Sequence, residues 1–347
     1  MGARVAVIGA SGYTGLELLR LLRRHPEVEL VAVTSEQRAG EPVGEAFPGL
    51  AGLWDLRFEP NDPRAIAGRC EVAFTALPHA ASAPSVAALR EAGVAVVDLS
   101  ADFRLRDPAA YERWYGPHGA PDWFGKAAYG LPELHRDAIA GAELVAAPGC
   151  YPTGALLPLV PFLRAGRIEP APLHVDSKSG VSGAGRKLAE DFLFSEVDAS
   201  CRAYGVGGAH RHTPEIEQEA SLAAGEEVRV AFTPHLLPTT RGLATSVYAR
   251  PRGTLTSADA REILAGAWEA EPFVRVLPEG RTPSLAAVRG TNFCDLQALV
   301  DERTGSLLLL SALDNLGKGA SGQAVQSLNA MRGWPETTAL LEAPLLP

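Results

Sequence analysis

The sequence lacks any apolar run long enough to cross a bilayer. Its most apolar stretch, residues 155–163, is interrupted by Pro158 and Pro161 and falls far short of the roughly 20 residues that a spanning helix needs. There is no apolar export region near Met1, and Ala6 stands where a myristoylation signal wants Ser or Thr, so a cytoplasmic location is expected. Cysteine is scarce: Cys70, Cys150, Cys201 and Cys294 show no close pairing and no CxxC, which argues against a disulfide framework and against a thiolate metal site. Runs of Lys and Arg are missing too, and the formal charge of −9 excludes a nucleic-acid coat. Neither a membrane nor a nucleic acid is expected as a partner, and no metal; an anionic small molecule would have to be held by local donors.

What is present is ordinary globular sequence, 46% hydrophobic and 21% charged, with no internal repeat or low-complexity linker. Its 347 residues suffice for two domains. Residues 4–8 and 28–33 have strand character and flank a helical pattern over 12–24 that His25 and Pro26 stop, forming a βαβ unit. Further strands are expected at 72–77, 94–99 and 144–147, with a helix at 81–91 between the first two. This alternation predicts an α/β fold with an N-terminal doubly wound parallel sheet of Rossmann type. After Cys150 the texture changes: Val228, Val230 and Phe232 alternate, 243–250 follows, and two apolar runs flank the turn-like 301–305. A second α/β domain with a largely antiparallel sheet is expected there. A last helix is expected at 321–331, and the boundary near Gly149 follows from the pattern change.

Residues 9–15, GASGYTG, lie between the first strand and the first helix. Glycines at 9, 12 and 15 let the backbone turn tightly and approach a pyrophosphate at the helix N-terminus, so Gly9, Ser11, Gly12, Tyr13, Thr14 and Gly15 form the expected nucleotide cradle. The second strand runs into Thr34, Ser35 and Arg38, which favours a 2′-phosphate and hence NADP, although Glu36 lies in the same segment.

Residues 148–154, PGCYPTG, precede an apolar helix-like run, which puts Cys150 at a strand-to-helix junction where the helix N-terminus favours thiolate. Cys70, Cys201 and Cys294 are expected to be small buried hydrophobes. In HRHTPEIEQ, residues 210–218, Thr213 can cap a helix with Pro214 in its first turn, which leaves His212 just before it as an acid/base and Glu215 to orient it. His210 and His212 have no third or fourth ligand nearby to make a zinc site.

These motifs, together with SADFR (100–104), SKSGVSGAGR (177–186), PHLLPTTRG (234–242) and LDNLGKGASGQAVQ (313–326), resemble the N-acetyl-gamma-glutamyl-phosphate reductase family over nearly the whole chain. The resemblance implies an arginine-biosynthesis enzyme built like aspartate-semialdehyde and glyceraldehyde-3-phosphate dehydrogenases and assembled as a homodimer or homotetramer. Its NADP-binding Rossmann domain would be 1–149, completed by 315–347, with a catalytic and oligomerisation domain at 150–314. It also implies that Cys150 is the nucleophile, His212 the acid/base and Glu215 its support, while Asn315, Gly317, Lys318 and Gly319 approach the nicotinamide. Ser179, Gly180, Ser182, Gly183 and Tyr204 would line the substrate pocket, and Arg186 or Arg104 would hold the leaving phosphate. The implied reaction is reduction of N-acetyl-gamma-glutamyl phosphate to N-acetyl-L-glutamate 5-semialdehyde through a Cys150 thioester. Two other readings stay open: a reductase for carrier-protein-bound aminoadipyl phosphate in lysine biosynthesis, and a non-catalytic NADP-binding sensor.

Overall fold

The computed structural model describes residues 2–186 and 188–345; the extreme ends of the two anticipated Rossmann segments lie outside the described residues. The chain forms two compact units, one of residues 1–148 and 320–341, the other of residues 149–319 and 342–347.

The first unit is built on seven parallel strands: β1 (Ala3–Ile8), β2 (Val28–Thr34), β3 (Phe58–Glu59), β4 (Val72–Thr75), β5 (Ala95–Asp98), β6 (Ala128–Tyr129) and β7 (Leu144–Ala146), in the order β3-β2-β1-β4-β5-β7-β6. Val5 to Ile8, Val72 to Phe74 and Val96 to Val97 have no exposure, as expected for parallel strands covered on both faces. The order reverses between β1 and β4, the position where doubly wound sheets bind ligands, and the GASGYTG turn leaves β1 at that point.

The helix Gly322–Arg332 also belongs to this unit, and its residues 322–331 are all buried although many are polar. The side chains find fixed acceptors. Gln323 Nε2 and Ser327 Oγ both donate to Gly130 O, Gln326 Nε2 donates to Glu133, and Asn329 Oδ1 meets His25 Nε2 at 2.8 Å. Burial without such partners would cost a few kcal/mol per group, roughly.

The second unit carries a mixed sheet of β8 (Leu173–Gly180), β9 (Arg202–Ala203), β10 (Val230–Leu237), β11 (Leu243–Ala249), β12 (Val274–Val276), β13 (Cys294–Asp301) and β14 (Ser306–Leu313), in the order β12-β13-β14-β11-β8-β10-β9. Only β8–β10 and β12–β13 pair in parallel.

The helix Cys150–Arg164 continues through Pro158 and Pro161. Each proline lacks the N–H that would bond the carbonyl four residues back, which leaves Gly154 O and Leu157 O without their helical partners. Ser311 Oγ donates to Gly154 O at 2.6 Å, and Trp268 Nε1 donates to Leu157 O at 2.9 Å. Two distant side chains thus replace both lost helical bonds, and residues 151–163 are buried throughout.

Candidate active site

In the first unit the three glycines of the turn have separate causes. Gly9 has φ +82°, and a Cβ there would lie 2.8 Å from Ala76 O. A Cβ on Gly15 would come within 2.5 Å of Ala10 Cα, so the helix Tyr13–Leu22 could not approach the turn. Gly12 faces open space, and as N-cap it offers no side chain to the helix N-terminus. Uncapped N–H groups beside an unobstructed glycine fit a pyrophosphate.

The end of β2 secures this turn: Gly9 N–H donates to Thr34 Oγ1 at 3.0 Å, Ala10 N–H to Thr34 O, and Ser11 Oγ meets Ser35 Oγ at 2.7 Å. Thr34 Oγ1 in turn donates to Asn61 Oδ1. The residue directly after β2 is Ser35, with no carboxylate to receive ribose hydroxyls. Glu36 accepts the Asn61 N–H at 3.2 Å. Arg38 lies over the Phe47 ring and pairs with Glu41 at 2.8 Å.

Arg104 is held by the main chain. Its guanidinium is nearly buried and donates from Nε to Ala147 O and from Nη2 to Leu99 O, tying the ends of β5 and β7 together. It is a main-chain clamp. The same region holds a buried polar knot in which Asp98 accepts the hydroxyls of Thr75, Ser82 and Ser100.

In the second unit Cys150 is the first residue of its helix, after an N-cap, Gly149, that has no side chain to cap it. Gly149 N–H donates to Glu215 Oε1 at 2.8 Å, and Glu215 is only 1% exposed. Glu215 therefore anchors the main chain preceding the thiol. A Cβ on Gly149 would lie 2.6 Å from His212 Nε2, so the imidazole packs edge-on against this glycine. On another side, a Cβ on Gly319 would lie 2.8 Å from Cys150 Cβ. His212 itself occupies the N-cap position of the helix Thr213–Ala224, with Thr213 inside the first turn rather than capping it.

Several candidates converge here. Ser182 Oγ accepts from Asn315 Nδ2 at 2.9 Å, and Asn315 Oδ1 accepts the Gly242 N–H at 2.8 Å. The Asn315 amide thus joins the loop at 179–183 to the loop at 239–242. Gly180 and Gly183 are needed for that close approach, since Cβ atoms there would meet Thr239 O at 2.7 Å and Ser179 Oγ at 3.0 Å. Gly317 is required by Thr291 O, 2.1 Å from its would-be Cβ, so packing already explains the glycine pattern of 317–319. Lys318 is fully buried with Nζ 5.8 Å from the Phe273 ring centroid. Arg186 is exposed beyond Gly185.

Three features went unnoticed in the sequence. Tyr151, directly after the nucleophile candidate, shares a 2.8 Å hydroxyl contact with Tyr204. Burial raises the ionisation of both phenols, that of Tyr204 to about 12, which keeps them neutral. His210 and Phe232 complete a cluster of rings around Tyr151 and His212. Arg241 Nε donates to the fully buried Asp314 at 2.9 Å, and Asp314 accepts the N–H groups of Gly290, Leu316 and Gly317, which fixes the turn leading to Gly319. Cys201 is exposed, contrary to the expectation of a buried hydrophobe, because it lies in the irregular segment before the short edge strand β9; Cys70 and Cys294 are buried.

Comparison with known proteins agrees with this division. Residues 4–142 match the NAD binding domain of semialdehyde dehydrogenases, and residues 150–315 match their dimerisation domain. The first unit therefore carries a nicotinamide dinucleotide site. The chain is similar to N-acetyl-gamma-glutamyl-phosphate reductases from Geobacter metallireducens (53% identity), Citrifermentans bemidjiense (51%), each covering 99% of both sequences, and Moorella thermoacetica (51%, 97% of both). Its fold resembles aspartate semialdehyde dehydrogenase II of Vibrio cholerae (TM-score 0.73, 19% identity, 95% and 98% of the two chains) and the aspartate semialdehyde dehydrogenase with NADP from Candida albicans (TM-score 0.67, 17% identity, 95% and 98%). Near-complete coverage at about half identity, with the cysteine, histidine and glycine motifs in place, establishes that the chain belongs to the N-acetyl-gamma-glutamyl-phosphate reductase family.

Proposed function

We propose that this protein reduces N-acetyl-gamma-glutamyl phosphate to N-acetyl-L-glutamate 5-semialdehyde and phosphate, in arginine biosynthesis, with NADPH as reductant. The observation that carries the reading is the arrangement at Gly149 and Cys150: a thiol at an uncapped helix N-terminus, its preceding amide held by buried Glu215, with the His212 ring against Gly149.

Each residue has a task in that chemistry. The helix N-terminus favours the thiolate, the form that attacks an acyl carbon. His212 accepts the thiol proton. Cys150 Sγ then bonds the acyl carbon, the carbon–oxygen bond to phosphate breaks, and His212 returns the proton to the departing phosphate. A thioester remains. The chemistry that a nicotinamide dinucleotide supplies when bound is a hydride equivalent. Once the thioester is reduced to the thiohemiacetal level, His212, protonated again from solvent, steadies the oxyanion until the carbon–sulfur bond breaks and the thiolate is restored. Ser182, Gly183 and Tyr204 form the substrate side of this unit in our reading, and Arg186 and Arg104 are the candidates for the phosphate.

Ser35 after β2, rather than a carboxylate, supports NADP over NAD, and Arg38 supplies the cation. The Arg38–Glu41 pair is solvated, so a 2′-phosphate can displace the carboxylate at little cost. Arg38→Ala is expected to raise KM for NADPH by about thirtyfold while leaving KM for NADH within about twofold. Equal losses for both cofactors would remove Arg38 from phosphate recognition. We further assign 1–149 with 315–347 to cofactor binding and 150–314 to catalysis and homo-oligomerisation.

The substrate is tested by phosphate-dependent NADP reduction with N-acetylglutamate 5-semialdehyde, compared with the carrier-bound aminoadipate semialdehyde. The expected kcat/KM favours the former by more than about a hundredfold. The opposite preference would move the protein to the lysine-type reaction, and no turnover of either would leave a binding protein.

A further inference from the structure

One histidine of the HRH stretch has no task in the reaction just described. His210 nevertheless lies edge-on to four rings: its centroid is 5.4 Å from Tyr151, 5.4 Å from Tyr204, 5.0 Å from His212 and 5.2 Å from Phe232. Its Nδ1 accepts the main-chain N–H of His212 at 3.1 Å. Tyr151 meets the His212 ring from another direction at 5.8 Å, and Tyr151 is itself tied to Tyr204 through the two hydroxyls. Gly149 closes the box.

His212 stands at the N-cap of its helix with φ −82° and ψ −10°, and its side chain makes no capping hydrogen bond. The usual device that fixes a helix start is a side-chain oxygen bonding the first N–H groups. Here a ring nitrogen two residues earlier holds the main chain instead. On the reading of His212 as proton carrier, we propose that His210 is a positioning residue: it accepts the His212 N–H and walls the His212 ring against Gly149 beside Cys150. The role needs an unprotonated Nδ1. Burial, with the Arg211 charge second, lowers the His210 imidazole to about 4, so the acceptor persists through the neutral range. The titratable groups facing it are Tyr151, Tyr204 and His212, with Arg211 the adjacent cation.

The test compares His210→Asn, whose Oδ1 accepts the same N–H, with His210→Phe, which keeps a ring and loses the acceptor. His210→Phe is expected to lower kcat by about thirtyfold with KM within about threefold, and to shift the limb of the kcat–pH profile that reports His212; His210→Asn is expected to recover kcat to within about fivefold. In a His212→Asn background, His210→Phe should cost less than about twofold more, because the residue it serves is gone. Circular dichroism and the unfolding midpoint establish that each variant is folded; should the Phe variant fail to fold, His210→Gln, which displaces the acceptor by a methylene, must show the same kcat loss. The proposal is overturned if a folded His210→Phe keeps more than half of kcat, if the Asn and Phe variants lose equally, or if the double variant is fully additive. A folded His212→Asn with undiminished kcat would instead remove the proton-carrier reading itself, a result separable from failure at His210.

Discussion

Cys150→Ser is expected to lower kcat for acyl-phosphate reduction by about a thousandfold or more, since a serine hydroxyl at this position is scarcely ionised and a thioester can no longer form. The substitution is nearly isosteric. Its Cβ keeps the same distance from Gly319, and the helix Cys150–Arg164 is held by Ser311 and Trp268 at sites remote from its first residue. The unfolding midpoint should therefore stay within about 2 °C of the parent protein. Loss of activity with retained stability places the effect in the chemistry; retained activity in a folded Ser variant would remove the covalent mechanism.

Gly149→Ala is expected to produce the second largest loss, about a hundredfold in kcat, without any change at a reacting atom. The backbone is not the reason, because φ −69° and ψ 153° at Gly149 are ordinary values for alanine. The added methyl would lie 2.6 Å from His212 Nε2 and 2.7 Å from Cε1, closer than real Cβ contacts come, so the imidazole must move. It has little room to do so, with His210 and Tyr151 on its other sides. Parallel measurement of kcat and of cofactor affinity checks this: kcat should fall while NADPH binding, which in our reading rests on the glycine turn at 9–15 and on Arg38, is unchanged. A kcat within about threefold of the parent would show that the position of the ring against Gly149 does not matter to the reaction.

The strands β1, β2, β4, β5 and β7 and the glycine turn were legible because their signals are local: apolar runs, a helix stop at His25 and Pro26, and glycines at fixed spacing. The two-residue strands β3 and β6 were not, because Phe58–Glu59 and Ala128–Tyr129 owe their pairing to the strands beside them and carry too few residues for a period. The unbroken helix through Pro158 and Pro161 depends on Ser311 and Trp268, more than a hundred residues away in the chain. No local pattern contains that information.

The site divides in the same way. Cys150 and His212 were found from residue type and helix starts, and both lie beside Gly149 in the second unit. Glu215 was read as a supporting carboxylate from its place in HRHTPEIEQ, but its acceptor role toward Gly149 N–H depends on two segments meeting in space. The charge of Arg104 is legible in the sequence, whereas the carbonyls of Ala147 and Leu99 that accept from it are not. Tyr151 and His210 were overlooked because a single aromatic beside a nucleophile, or a histidine without metal partners, has no distinctive spacing. Only the ring contacts reveal their place.

The most direct measurement of the central claim is the mass of the enzyme after mixing with N-acetyl-gamma-glutamyl phosphate in the absence of NADPH. With the hydride source withheld, the account predicts release of one phosphate and a mass increase of one N-acetylglutamyl group, carried on the peptide that contains Cys150 and absent from Cys150→Ser. Subsequent NADPH should discharge it as the aldehyde. An unmodified Cys150 in an enzyme that turns over normally, or an acyl group on any other residue, would contradict the account.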